Sequence, residues 1–209
     1  MKNKIVKLIP FLGIFSVIFY FLHVILGEIF YRGYNPLAQA ISDLTASNSP
    51  SRNIARLFSM FYGICAVSFS IGFFIYLKNK VNKAINVSSF VFCLMNIVSF
   101  FGYTLFPLSE SGYAGTFQDI MHLAVTILVV LLTIVSLIIF SIGFFRAKKH
   151  KWLGIISICT LLILMVGAML INIVPKEYFG VAERINVYSI IIYTGILSLW
   201  MKICYDKLR

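Results

Sequence analysis

The chain has 209 residues, of which 60% are hydrophobic and only 12% charged, and its mean hydropathy is +0.95. Soluble domains carry about 25% charged residues, so this composition excludes a water-soluble globular protein and leaves no stretch for a separate soluble domain. The net charge of +11 does not point to nucleic acid, because the basic residues are sorted by connection and fit a surface facing anionic lipid.

Six apolar stretches follow one another: Leu8–Phe30, Ile54–Leu77, Ala84–Phe106, Ile120–Phe145, Leu153–Val174 and Ile185–Met201. An apolar run of ~20 residues at ~1.5 Å per residue matches a hydrocarbon core of ~30 Å, where a helix satisfies its own backbone hydrogen bonds. The expected fold is all-α: a polytopic integral membrane protein, one domain over residues 1–209 built as a bundle of six transmembrane helices.

Lys2, Lys4 and Lys7 ahead of the first span, with Ala38-Gln39-Ala40 beyond it, imitate a secretory signal. The apolar core of such a signal is only ~7–15 residues long. Here it is longer, and Glu28, Tyr31 and Arg32 intervene, so a retained helix is expected. In the polar segment that follows, Asn35-Pro36 is a helix-start signal: the amide caps free N–H groups and proline fits the first helical position. Leu37, Ile41 and Leu44 then recur at helical spacing. A short amphipathic helix over Asn35–Leu44 is expected at the outer interface, ended by Asn48, Ser49 and Pro50.

The third and fifth connections resemble each other. One runs Phe106-Pro107, Glu110, Gly115, Asp119, His122; the other runs Val174-Pro175, Glu177, Gly180, Glu183, Asn186. In both, proline stops a helix, glycine permits the return, and an acid sits near the next helix start, where the macrodipole favours it. Either a duplicated hairpin or the ordinary construction of a short turn accounts for the pattern.

Thirteen of the eighteen basic residues fall in connections of one parity: Lys2, Lys4, Lys7; Lys78, Lys80, Lys83; Arg146, Lys148, Lys149, Lys151; Lys202, Lys207, Arg209. The other parity holds Arg32, Arg52, Arg56, Lys176 and Arg184, together with every acid except Asp206. Short loops rich in Lys and Arg stay cytoplasmic, so a multi-pass protein of the cell membrane with both termini inside is expected. Cys65, Cys93, Cys159 and Cys204 lie in or at the end of spans without metal-type spacing and are expected as packing residues.

Asn35-Pro36-Leu37 with Ile41-Ser42-Asp43-Leu44, Phe106-Pro107 with Thr116 and His122, and Gly180 with Glu183-Arg184-Ile185 resemble the recurring motifs of the bacterial and archaeal membrane family called domain of unknown function 998. The resemblance covers essentially the whole chain and keeps the order of the motifs. It departs at Val181-Ala182, where a bulkier apolar pair is expected. It implies a helical integral membrane protein and carries no activity with it.

His23, Glu28, Ser42, Asp43, Arg56, Asp119, His122, Glu183 and Arg184 all fall in the outer half, and ionisable groups near or within spans are functional suspects. A histidine with carboxylates can bind Zn²⁺ or work as acid and base, which makes His122 and Asp119 the catalytic candidates. No His-Glu-x-x-His pair exists, and His23 should lie about 12 Å, two turns, below the Tyr31 rim. No metal or other cofactor is therefore expected. Ser42-Asp43 lacks the Gly-x-Ser-x-Gly elbow of a serine hydrolase.

Asp43, Asp119 and Glu183 are expected to pair with Arg56 and Arg184, and Glu28 with Arg32 at i,i+4. Asn96, Thr126, Thr160 and Asn172 are expected to bond between helices or, alternatively, to line a polar path. The reading that results is a non-enzymatic binding or accessory protein, whose polar vestibule of His23, Ser42, Asp43, Arg56, Asp119, His122, Glu183 and Arg184 takes a lipid or amphipathic ligand from the surrounding membrane lipids. An intramembrane lipid hydrolase using His122 with carboxylates is the first alternative, and a small-solute or proton-coupled transporter the second. The sequence bears no signature of an oligomeric state.

Overall fold

The computed structural model describes residues 2–147 and 150–207; Lys148, Lys149 and Arg209, three of the basic residues counted above, lie outside the described residues. Six long helices make up the fold: α1 (Lys2–Ile29), α2 (Arg52–Leu77), α3 (Lys83–Leu105), α4 (Phe117–Arg146), α5 (Lys151–Ile173) and α6 (Phe179–Lys207). Two short 3-10 helices, Ile41–Thr45 and Lys176–Tyr178, lie in the connections, and no strand occurs among the described residues. All six long helices are apolar and long enough to cross a membrane. The protein is a multi-pass membrane bundle.

Helix boundaries follow from local chemistry. Asn82 caps α3 by accepting from the Ile85 N–H at 3.0 Å, and its amide nitrogen donates to the Gly143 carbonyl at 2.8 Å, tying the start of α3 to the end of α4. Thr116 caps α4 by accepting from the Asp119 N–H at 3.3 Å, while Asp119 accepts from the Thr116 N–H at 3.2 Å. This reciprocal capping box satisfies two donors that a helix start otherwise leaves orphaned. Pro107 and Pro175 lie just beyond the ends of α3 and α5, where the missing N–H forbids continuation.

Each helix packs on its neighbours in chain order and α6 returns to α1, closing a ring. Both chain ends and the α2–α3 and α4–α5 connections therefore share one end of the bundle. The other three connections occupy the opposite end, here called distal.

The half beside the chain ends is solid. Phe69 and Phe73 of α2, Phe92 of α3, Phe140 and Phe144 of α4, and Trp200 of α6 fill the middle of the ring together with Leu153, Tyr193 and Leu197. Phe140 stacks on Phe144 at 5.5 Å, and Trp200 meets Phe144 edge-on at 5.3 Å and Phe73 at 6.0 Å. On the outside, large apolar side chains such as Leu131, Leu162 and Met169 are exposed. In water that surface would be a liability; in lipid it is the solvent-facing side, and cohesion comes from interior packing.

Candidate ligand-binding cavity

The first connection closes the distal mouth of the ring. The helix expected over Asn35–Leu44 is present in shorter form, as a hydrogen-bonded turn after Asn35 and then the 3-10 helix Ile41–Thr45. Asn35 does cap locally, its side-chain oxygen accepting from the Leu37 N–H at 3.0 Å. The segment does not lie flat at the interface. Ile41 and Leu44 are buried against Tyr20, Val24, Ala55 and Ile191, whereas Leu37 is exposed. Leu44 fits because α1 carries Gly27 beneath it, where a Cβ would come within 2.9 Å of the leucine.

The acids hold this plug by accepting from backbone amides. Glu183 accepts from the Ile41 N–H at 2.6 Å. Asp43 accepts from Ala40 at 3.0 Å and from Gly112 of the third connection at 2.9 Å; Gly112 presents that N–H from φ +87°, which side chains with a Cβ rarely adopt. Asp119 gathers the third connection, accepting from the Ser109 N–H at 2.7 Å, the Ser109 hydroxyl at 2.8 Å and the Ala114 N–H at 3.1 Å.

Arg184 does the converse work with carbonyls. It donates to Pro36 O at 2.7 Å and Gln39 O at 3.0 Å, to the Tyr34 hydroxyl at 2.9 Å, and to Glu28 at 2.9 Å. Tyr34 passes its own proton to Ala40 O at 2.7 Å, and burial pushes its hydroxyl above the usual tyrosine range. The close approach needs Gly180, where a Cβ would stand 2.5 Å from both Gln39 O and Pro36 O.

Two expectations are corrected here. The carboxylates of Asp43, Asp119 and Glu183 pair with amides of the connections and not with Arg56 and Arg184, because the folded-back loops offer unpaired N–H groups at closer range. Glu28 pairs with Arg184 and not with Arg32, since α1 ends at Ile29 and the i,i+4 geometry stops with it.

Beneath the plug lies a cavity of about 340 Å³ walled by all six helices. His23, Ser42, His122 and Glu183 line it near the mouth; Met95, Val129, Val130, Leu164 and Ile190 line it toward mid-membrane, together with the polar Asn96, Thr133 and Thr194. Asp43, Asp119 and Arg184 stand outside the wall in the network just described, and Arg56 lines an adjoining crevice. His23 is 5% exposed, and among the described residues neither of its ring nitrogens has a hydrogen-bond partner. Asn186 Oδ1, also on the wall, is likewise unpartnered. His122 Nδ1 lies 2.8 Å from Phe106 O; a carbonyl only accepts, so Nδ1 carries the proton and Nε2 keeps its lone pair. Among the described residues no group of three or more His, Cys, Asp or Glu is placed to hold a metal ion.

Sequence reading passed over the tyrosines. Tyr20, Tyr62 and Tyr103 all line the cavity, and Tyr103 bonds Thr126 across α3 and α4 at 3.1 Å. Their only signal is that each sits within an apolar span, where a tyrosine counts as hydrophobic although its hydroxyl needs a partner. The amides expected to bond between helices do not: mid-span Asn96, which lines the cavity, and Asn172 at the end of α5 donate to carbonyls one turn back on their own helices, Phe92 O and Ala168 O.

A family described as "Protein of unknown function (DUF998)" has a model that matches residues 14–200, from early α1 to late α6. The chain belongs to this family. Comparison with curated proteins and with solved structures yields no match. The motif residues Asn35, Asp43, Pro107, His122, Gly180, Glu183 and Arg184 of this DUF998 protein are those that plug the distal mouth and line the cavity beneath it.

Proposed function

We propose that this DUF998 protein binds a lipid or amphipathic molecule in the distal cavity, as a binding or accessory protein and not as an enzyme. The observation that carries this reading is the wall itself: toward mid-membrane it is apolar apart from Asn96, Thr133 and Thr194, which each donate to a carbonyl of their own helix, and at its mouth it holds a buried histidine with no partner for either ring nitrogen among the described residues. A buried polar group without a partner costs about 1–3 kcal/mol. A ligand with a polar end at His23 and Asn186 and an apolar tail among Val129, Val130 and Leu164 would offset that cost. Ala168→Trp projects an indole from α5 into the cavity; the expected result is a protein that folds but copurifies with far less bound lipid than wild type. Equal retention would defeat the proposal.

The distal end is proposed to face outside the cell, on the strength of the basic residues gathered at the opposite end. With the native cysteines replaced, Ser47→Cys in the first connection should react with an impermeant thiol reagent in intact cells, and Lys78→Cys should not. Reversed labelling would invert the assignment.

The hydrolase reading draws support from one feature, the free lone pair of His122 Nε2 on a wall that also holds Ser42 and Glu183. Turnover of a fluorogenic ester lipid that is lost in both His122→Gln and Ser42→Ala would favour it over simple binding.

A further inference from the structure

Among the candidate site residues that carry a full charge, Arg56 is the one that the plug network leaves aside. It stands one turn into α2, half-buried, with no hydrogen bond or ion pair among the described residues. A guanidinium carries five donors and keeps its charge at every relevant pH, so a half-buried one without an acceptor is costly at the edge of a membrane.

Its surroundings suit an anion from the lipid. Arg56 lines a crevice of about 70 Å³ between α2 and α3, with Ser59 on its own helix and Ser99 across from it; neither hydroxyl is committed to a partner among the described residues. At ~10–15 Å³ per water-sized group, the crevice admits a compact headgroup and not an acyl chain. Met60, also on its wall, is 50% exposed, and neighbouring Leu57 is 47% exposed on the outer, lipid-facing surface. The crevice shares Thr45, Ser59, Tyr62, Ser99, Tyr103 and Pro107 with the large cavity. It therefore adjoins the cavity and lies beside the exposed apolar surface of α2.

We infer that this crevice holds the phosphate-bearing headgroup of a membrane lipid, anchored by the Arg56 guanidinium and the Ser59 and Ser99 hydroxyls. The inference rests on the proposed binding role of the cavity and deepens it by naming the headgroup and its place. The guanidinium fork matches two phosphate oxygens at once, which an ammonium cannot do. At one turn into α2 the phosphate stays at the rim, while the ester oxygens of the same lipid are the polar groups proposed at His23 and Asn186 and its chain lies among Val129, Val130 and Leu164.

Native mass spectrometry of the purified full chain in detergent tests this, with dioleoylphosphatidylglycerol, dioleoylglycerol and inorganic phosphate each added alone. The phosphatidylglycerol should bind at least about tenfold more tightly than dioleoylglycerol, which has the same chains without the phosphate. Arg56→Gln and Met60→Trp should each lose about tenfold; Arg52→Gln, at the same rim but outside the crevice, should bind as wild type. If Arg56→Gln fails to fold, Met60→Trp decides, because it narrows the crevice and keeps the charge. Wild-type affinity in Arg56→Gln and Met60→Trp overturns the inference, as does Arg56-dependent binding of inorganic phosphate without any lipid preference, which assigns the crevice to a soluble anion. Lipid lost in Ala168→Trp but kept in Arg56→Gln leaves the cavity reading intact and removes the headgroup assignment; the opposite pattern removes the cavity reading alone.

Discussion

The two halves of the bundle use the same six helices to opposite ends. Beside the chain ends, aromatic rings from α2, α3, α4 and α6 meet in the middle. At the distal end the helices stand around a space of about 340 Å³, and the closure is supplied by a loop whose amides and carbonyls are held by Glu183, Asp43 and Arg184. In lipid, where tails are as apolar as leucine, cohesion comes from close interior contact and hydrogen bonds. The packed half relies on its rings, whereas the hollow half adds to the small cluster around Leu44 a set of hydrogen bonds at its rim.

That contrast can be broken most forcefully in the packed half. Phe140→Ala removes a fully buried ring that touches Phe73, Phe92, Phe144 and Tyr193, and it should cost about 3–5 kcal/mol. The measurement is unfolding of the purified protein in micelles. A loss under about 1 kcal/mol would mean that the rings are not what holds that half together.

Next comes the rim. Arg184→Gln cuts the links to Pro36, Gln39, Tyr34 and Glu28, and should cost about 2–3 kcal/mol. Its distinctive mark is local: limited proteolysis within residues 31–40 should accelerate while the helices stay protected. Uniform loss of protection would place Arg184 in the general fold and not in the closure.

The smallest effect should have the opposite sign. His23→Leu removes two unpartnered buried nitrogens, so the ligand-free protein should gain about 1 kcal/mol as lipid retention falls. A destabilised variant with unchanged retention would show the histidine to be ordinary packing.

Six helices are legible in the sequence because each apolar run is long enough to demand one, and Pro107 and Pro175 mark two of the ends. The placement of His23, Ser42, His122 and Glu183 on one wall is not legible in detail, since it depends on which way each helix turns within a ring. The partners of the acids are hidden for a different reason. Backbone amides bear no residue label, so Glu183 beside Arg184 reads as half of an ion pair, whereas it bonds Ile41 of a loop about 140 residues earlier. The acids of the two similar connections are told apart for the same reason only in the structure: Asp119 caps its own helix, whereas Glu183 reaches across to the plug.

The most direct measurement is a density map of the full chain purified in nanodiscs of its native lipids, with an antibody fragment bound for alignment. Elongated density is expected between α3, α4, α5 and α6, with a polar group within hydrogen-bonding distance of His23 and the apolar end beside Val130 and Leu164. A cavity collapsed onto its own side chains, or one without chain-like density, would contradict it.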